Sequence, residues 1–201
     1  MKLTIDVGFD LVCPWCLIGQ RELGRALVEF RERYPGVAVA QRWHSLQLLP
    51  GIPDEGLPFH PFYVQRLGSA AAVSARQAQV RQAGRRAGLD FDFASMTVMP
   101  NTAGAHALLA QARVEQGEGA VQSLIEALFE AHFFGGANLG DPDTLACIAR
   151  EHGIEPSEQA ALSPYPLPGS GVPVFVFNGR EVLSGAQPAQ VLLEAMEASV
   201  C

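Results

Sequence analysis

Near the start of the chain, "GFDLVCPWCLIG" carries Cys13-Pro14-Trp15-Cys16, two thiols with two residues between them. Cysteines at that spacing do one of three things: clip a metal, staple the chain, or exchange disulfides as a reagent. A metal clip needs about four ligands, typically a second cysteine pair or a spaced pair of histidines. Cys147 and Cys201 stand alone and the five histidines show no pairing at ligand spacing, so the pattern predicts no metal. A permanent staple suits an oxidising compartment, whereas cytosolic thiols are held reduced and a disulfide there is transient and catalytic. Cys147, in "DTLACIAREHG" among Leu145, Ile148 and Ala149, predicts a buried, inert thiol. Cys201 reads as a tail thiol.

The elements around the pair decide what it is placed to do. Leu3, Ile5, Val7 and Phe9 alternate with Lys2, Thr4, Asp6 and Gly8, the period-two pattern of a strand over residues 2–9. Beyond the cysteines Leu23, Leu27, Phe30 and Tyr34 recur at helical spacing until Pro35 and Gly36 stop the run. The pair therefore falls at a strand-to-helix junction. Pro14 suits the first helical position, where its missing N–H costs nothing, which puts Cys13 at the N-cap and Cys16 one turn in. The unpaired N–H groups and positive dipole end of a helix start favour a thiolate; in such settings a thiol pKa falls from about 8.5 to roughly 3.5–7.5. Cys13 is the expected nucleophile. Cys16, on the same face, is the expected resolving thiol, which attacks the mixed disulfide on Cys13 and releases the partner.

Composition excludes other functions. A chain of 201 residues, 48% hydrophobic, can bury a full core, and at roughly 150 residues per domain it predicts one domain with an insertion. A net charge of -7 and a pI near 5.2 leave no basic surface for phosphate backbones or anionic lipid. Neither nucleic acid nor membrane is an expected partner. The first strand residue is already Leu3, which leaves no room for a secretory leader, and no apolar run approaches the roughly 18 residues of a membrane span. The expected compartment is the cytoplasm.

"VAVAQRW", residues 37–43, reads as a second strand parallel to the first, completing a βαβ unit. A connector over 45–61 follows, then helices at 62–87, 102–116, 119–134 and 142–152. "VPVFVFNGREVLSG" returns to strands at 174–177 and 180–184, joined by an Asn178-Gly179 turn, before a last helix over 188–198. A βαβ and a ββα joined into one mixed four-stranded sheet make an α/β protein of thioredoxin fold, split by an all-helical insertion. The implied division is 1–58, then an inserted helical domain over 59–160, then 161–201.

"DLVCPWCLIG", "NTAGAHALLAQARVEQG" and "SGVPVFVFNGREVLSGAQP", in that order, resemble the DsbA family, and within it the cytoplasmic FrnE-like dithiol-disulfide oxidoreductases. The resemblance implies that Cys13 and Cys16 are the redox pair, with no cofactor beyond their disulfide and glutathione as a co-substrate at most. It also implies that Val172-Pro173 is the loop whose proline is cis and faces the active-site sulfur. Together with Pro14 and Trp15 these residues would bind substrate, an extended cysteine-bearing protein segment or glutathione. A helical block packed near the Cys13 helix start would wall one side of that groove. Asn101, Thr102 and His106 match a family motif and are candidate site residues, although Asn-Thr after Pro100 is also an ordinary helix cap.

Two features depart from the family pattern. The stretch between Ile154 and Gly171 is short and carries Pro156, Pro164, Pro166 and Pro168, where relatives have a further helix. Pro-Trp replaces the Pro-His of the periplasmic oxidants, so no imidazolium assists Cys13 and a milder oxidant is expected. The same fold carries glutathione-dependent isomerases and transferases of small aromatic compounds, whose kappa-class members place a serine where Cys13 stands. A non-catalytic, chaperone-like binding module is the remaining alternative.

Overall fold

The computed structural model describes residues 1–155, 166, 168 and 171–200. Most of the proline-bearing stretch 156–170, with its expected lack of a helix, and the tail thiol Cys201 lie outside the described residues. In chain order the elements are β1 (Lys2–Phe9), α1 (Pro14–Arg33), β2 (Ala38–Ser45), β3 (Leu57–Pro58), α2 (Phe59–Leu67), α3 (Ala70–Arg86), β4 (Val98–Met99), α4 (Ala103–Gln116), α5 (Glu118–Phe133), α6 (Pro142–Glu151), β5 (Val174–Phe177), β6 (Glu181–Ser184) and α7 (Ala189–Ala198). They form two compact units, Met1–Leu46 with Pro164–Cys201, and Gln47–Ser163.

The first unit is the mixed four-stranded sheet of a thioredoxin fold, in the order β2-β1-β5-β6. β1 runs parallel to β2 and antiparallel to β5, and β5 pairs antiparallel with β6. Leu3, Ile5, Val7 and Phe9 of β1 are sealed from solvent, and so is Asp6 on the opposite face. A buried carboxylate needs a partner. Asp6 Oδ1 has one in His44 Nε2, 2.8 Å away on β2.

α1 and α7 pack together. The N-cap of α7 is Pro188, which has no side-chain oxygen to offer, and the Glu22 carboxylate of α1 accepts from Ala189 N at 2.9 Å instead. At the other end Arg33 Nη1 donates to Glu197 Oε1 at 2.9 Å. The β5–β6 turn has positive φ at both Asn178 (49°) and Gly179 (68°), the condition for the mirror-image hairpin turn. Arg180 N donates to Phe177 O at 3.0 Å, yet Phe177 pairs with Glu181. The loop is thus one residue longer than Asn178-Gly179 alone predicts.

The second unit is mainly helical, and it corrects two expectations. The helix expected over 62–87 is two helices, α2 and α3. Gly68 ends the first in the left-handed region at φ 88°, and Ser69 caps the second by accepting from Ala72 N at 3.1 Å. The apolar periodicity on both sides bridges a break that the Gly-Ser pair makes. The connector read over 45–61 ends in β3, which pairs with β4 through Leu57↔Met99 and Pro58↔Val98. Strands of two residues are too short to show a period. Gly56 leads into β3 with φ 82°, where a Cβ would collide with the Val98 side chain.

Cys147 is exposed, not buried as its neighbours in sequence suggest. On α6 the inward face is set by Ile148 and Ala149. Position 147 lies about 150° round the helix from the middle of that face, and so faces solvent. Its Sγ sits 3.8 Å from Glu151 Oε1. No helix among the described residues is long and apolar enough to cross a membrane.

Candidate active site

β1 delivers the chain to Asp10, and the turn that follows is closed by the Cys13 N–H donating to the Asp10 carbonyl at 3.1 Å. Cys13 is the N-cap of α1, extended at φ -94° and ψ 107°, with Pro14 in the first turn. Cys16 N donates to Cys13 O at 2.9 Å, so the helix begins at the first thiol. Both cysteines are free thiols. Only 7% of Cys13 and 2% of Cys16 is exposed, while Pro14 and Trp15 are half-buried between them.

The two thiols are unequal. The Cys16 S–H donates to the Cys13 sulfur, and the backbone N–H groups of Cys16 and Trp15 add to it, which lowers the Cys13 pKa against the opposing pull of burial and the Asp10 charge. Burial first, then the hydrogen bond to Cys13 and the repulsion of its thiolate, push the Cys16 thiol well above its ordinary value. One sulfur is made easier to ionise and the other is made to hold its proton. This is the division of labour that disulfide exchange requires.

The cis-proline loop meets the nucleophile. The Val172–Pro173 peptide is cis, and Cys13 Sγ lies 3.8 Å from the Val172 carbonyl oxygen. Pro173 is buried, and its own carbonyl accepts from Gly185 N at 2.8 Å, which ties the loop to the end of β6. Cys13, Cys16, Val172 and Pro173 thus come together within the first unit.

Asn101, Thr102 and His106 belong to the second unit. Asn101 Nδ2 donates to Ile52 O (2.8 Å) and Asp54 Oδ1 (3.2 Å), and its Oδ1 accepts from Gln47 Nε2 (2.7 Å) and Ala103 N (2.9 Å). Thr102 holds the N-cap position without a side-chain cap bond, and its carbonyl accepts from the N–H of the fully buried His106 at 2.9 Å. These bonds fasten loop 47–54 to the start of α4. Asn101→Ala is expected to cost about 1–3 kcal/mol in a denaturation titration, because it strands several polar groups at once.

Two residues near the thiols escaped the motif-based reading. A Cβ on Gly19 would lie 3.0 Å from Phe175 Cζ and 3.1 Å from Pro173 Cγ, so this mid-helix glycine sets how closely α1 approaches the cis-proline loop. An isolated glycine within a helical pattern is the available signal. Asp10 is fully buried, and its charge opposes ionisation of both thiols. An acid at the end of a strand gives no such warning in sequence. No cluster of three or more histidine, cysteine or acidic side chains that could hold a metal occurs among the described residues.

This fold recurs in known proteins. Solved structures that the chain resembles include a probable DsbA oxidoreductase from Streptomyces coelicolor, 24% identical, with a TM-score of 0.83 over 98% of this chain and 90% of that one. The cytosolic disulfide reductase DsbM from Pseudomonas aeruginosa, solved with GSH, is 18% identical with a TM-score of 0.60, covering 98% of this chain and 96% of its own. A 2-hydroxychromene-2-carboxylate isomerase is 12% identical with a TM-score of 0.60 at the same coverage. At these identities the likeness is one of fold. Among curated proteins no sequence matches. The model of the DSBA-like thioredoxin domain matches residues 4–166, and the chain belongs to that family of thiol-disulfide oxidoreductases.

Proposed function

We propose that the protein is a cytoplasmic, FrnE-like thiol-disulfide oxidoreductase that works by dithiol-disulfide exchange through Cys13 and Cys16. The observation that carries this reading is the asymmetry of the pair, an anion-favouring sulfur at the helix start beside a sulfur that holds its proton. In the reducing direction, the Cys13 thiolate attacks a substrate disulfide; a bond forms between Cys13 and one substrate sulfur as the substrate S–S bond breaks. The departing thiolate takes a proton. Cys16 then attacks the Cys13 sulfur, forms the Cys13–Cys16 disulfide and releases the second substrate sulfur, which receives the Cys16 proton. Run backwards, the same steps oxidise a dithiol.

Val172, Pro173 and the half-buried Trp15 are the proposed binding surface, suited to backbone pairing and aromatic contact with an extended polypeptide. Cysteine-bearing protein segments are the proposed partners, with glutathione as redox buffer. A sulfur nucleophile at position 13 speaks against glutathione-dependent isomerisation of small aromatic compounds. A pure binding module would gain nothing from a lowered Cys13 pKa.

The test is to express the protein with Cys16→Ser, Cys147→Ala and Cys201→Ala, so that only Cys13 can form a bond, and to weigh the trapped adducts. Protein-sized mixed disulfides are expected. Glutathione adducts alone would move the function to small-molecule thiol chemistry, and an unmodified Cys13 would leave a binding module.

A further inference from the structure

Gln20 is the anomaly of α1. Only 7% of it is exposed, and neither Oε1 nor Nε2 finds a hydrogen-bond partner among the described residues, although a buried amide normally has one. It follows Cys16 by four residues in the same helix. At this separation two side chains lie about 40° apart round the axis with Cβ atoms roughly 5–6 Å apart. Helical side chains lean toward the N-terminus, so a long one covers the turn before its own Cα. The amide of Gln20 is therefore carried back toward the turn that holds Cys16.

Resting on the exchange reading above, we propose that Gln20 is a further catalytic residue, whose Nε2–H donates to the Cys16 sulfur as that sulfur becomes an anion in the resolving step. In the dithiol form Cys16 keeps its proton and bonds to Cys13, and the amide stands unbonded. When Cys13 is consumed in a mixed disulfide, it no longer draws on the Cys16 proton. Cys16 then gives that proton up, in the end to the departing substrate sulfur. The Cys16–Cys13 bond forms, the Cys13–substrate bond breaks, and the electron pair leaves on the substrate. The transient anion arises in a buried site where the neighbouring charge acting on it, that of Asp10, is negative. An amide donor one turn along the same helix supplies a dipole for that charge.

The unbonded amide destabilises the resting fold, so removing it separates this role from a structural one. Gln20→Met keeps length and volume without the amide. Its melting temperature is expected to rise. The rate of Cys13 attack on a chromogenic aromatic disulfide should stay within twofold of the unaltered protein, whereas release of the Cys13-bound aromatic thiol should slow about tenfold, with the pH midpoint of that step shifted upward. A release rate and midpoint matching the unaltered protein would overturn the proposal. A lowered melting temperature with slowed attack would do so as well, since that marks a packing residue. A failure of Cys13 to attack in the unaltered protein would instead overturn the exchange reading itself.

Discussion

Cys13→Ser is expected to bring turnover of a model disulfide below about one thousandth of the unaltered rate, because a hydroxyl is not ionised where the thiolate is. Cys16→Ala should still attack once, but slowly release its partner, and it carries a second, sharper expectation. The leading cause of the lowered Cys13 pKa is the hydrogen bond from Cys16. An alanine removes that donor and leaves burial and Asp10, which favour the neutral thiol, set against the backbone N–H groups of residues 15 and 16 alone. The sign is fixed: thiolate reactivity rises through the pKa, so a lowered pKa puts half-maximal alkylation below the ordinary thiol value of about 8.5, and Cys16→Ala moves it up. The measurement is the rate of iodoacetamide modification against pH. It should be made with Cys147→Ala and Cys201→Ala in place, so that neither of the other two cysteines adds to the signal. A midpoint that stays put when Cys16 is removed would show that the helix start alone sets the ionisation.

The second large effect belongs to Gly19, and Gly24 on the same helix supplies the control. A Cβ at Gly24 meets nothing within 4 Å, whereas at Gly19 it crowds Phe175 and Pro173. Alanine gains helix propensity of about 1 kcal/mol at either position. At Gly19 it also overpacks a core contact, which costs about 1–3 kcal/mol. Gly24→Ala should therefore be neutral or stabilising with full turnover. Gly19→Ala should be less stable than Gly24→Ala by that overpacking cost, and slower in exchange, because a displaced Pro173 takes the Val172 carbonyl away from Cys13. Equal stability and equal turnover for the two variants would mean that the loop yields freely and sets nothing at the thiol.

The strand-to-helix junction and the order βαβ, helical block, ββα were legible because each rests on a local pattern: strict alternation in β1, apolar spacing in α1, a proline at a helix start, an Asn-Gly turn. The misreadings share a different cause. Cys147 was judged by its neighbours in sequence, but exposure on a helix depends on residues three and four away. The break between α2 and α3 hides because Gly68 and Ser69 interrupt a periodicity that resumes in phase. Asp6 occupies an alternate polar position of β1 that nothing in the local pattern marks as buried, yet it is buried beside His44. Gly19 and Gln20 matter through what the fold puts beside them, Pro173 and Phe175 for one and a sealed interior for the other. Long-range proximity leaves no mark on the local spacing of residue types.

The interior position of β1 has a consequence for biosynthesis. Its neighbour on one side, β5, lies across nearly the whole chain, as in the bond from Thr4 N to Asn178 Oδ1 that spans 174 positions. A ribosome that has released β1, α1 and β2 has made a sheet with one flank open, and unpaired strand edges recruit other strands. Cys13 emerges 159 positions ahead of the Val172 carbonyl it faces. During translation the nucleophile precedes its surroundings, and the nascent chain carries a bare thiol at an unfinished sheet until the final hairpin closes it. Shortening the protein from the C-terminal end before Val174 would remove an inner strand and leave β1 as an edge. Such fragments should aggregate rather than retain partial exchange.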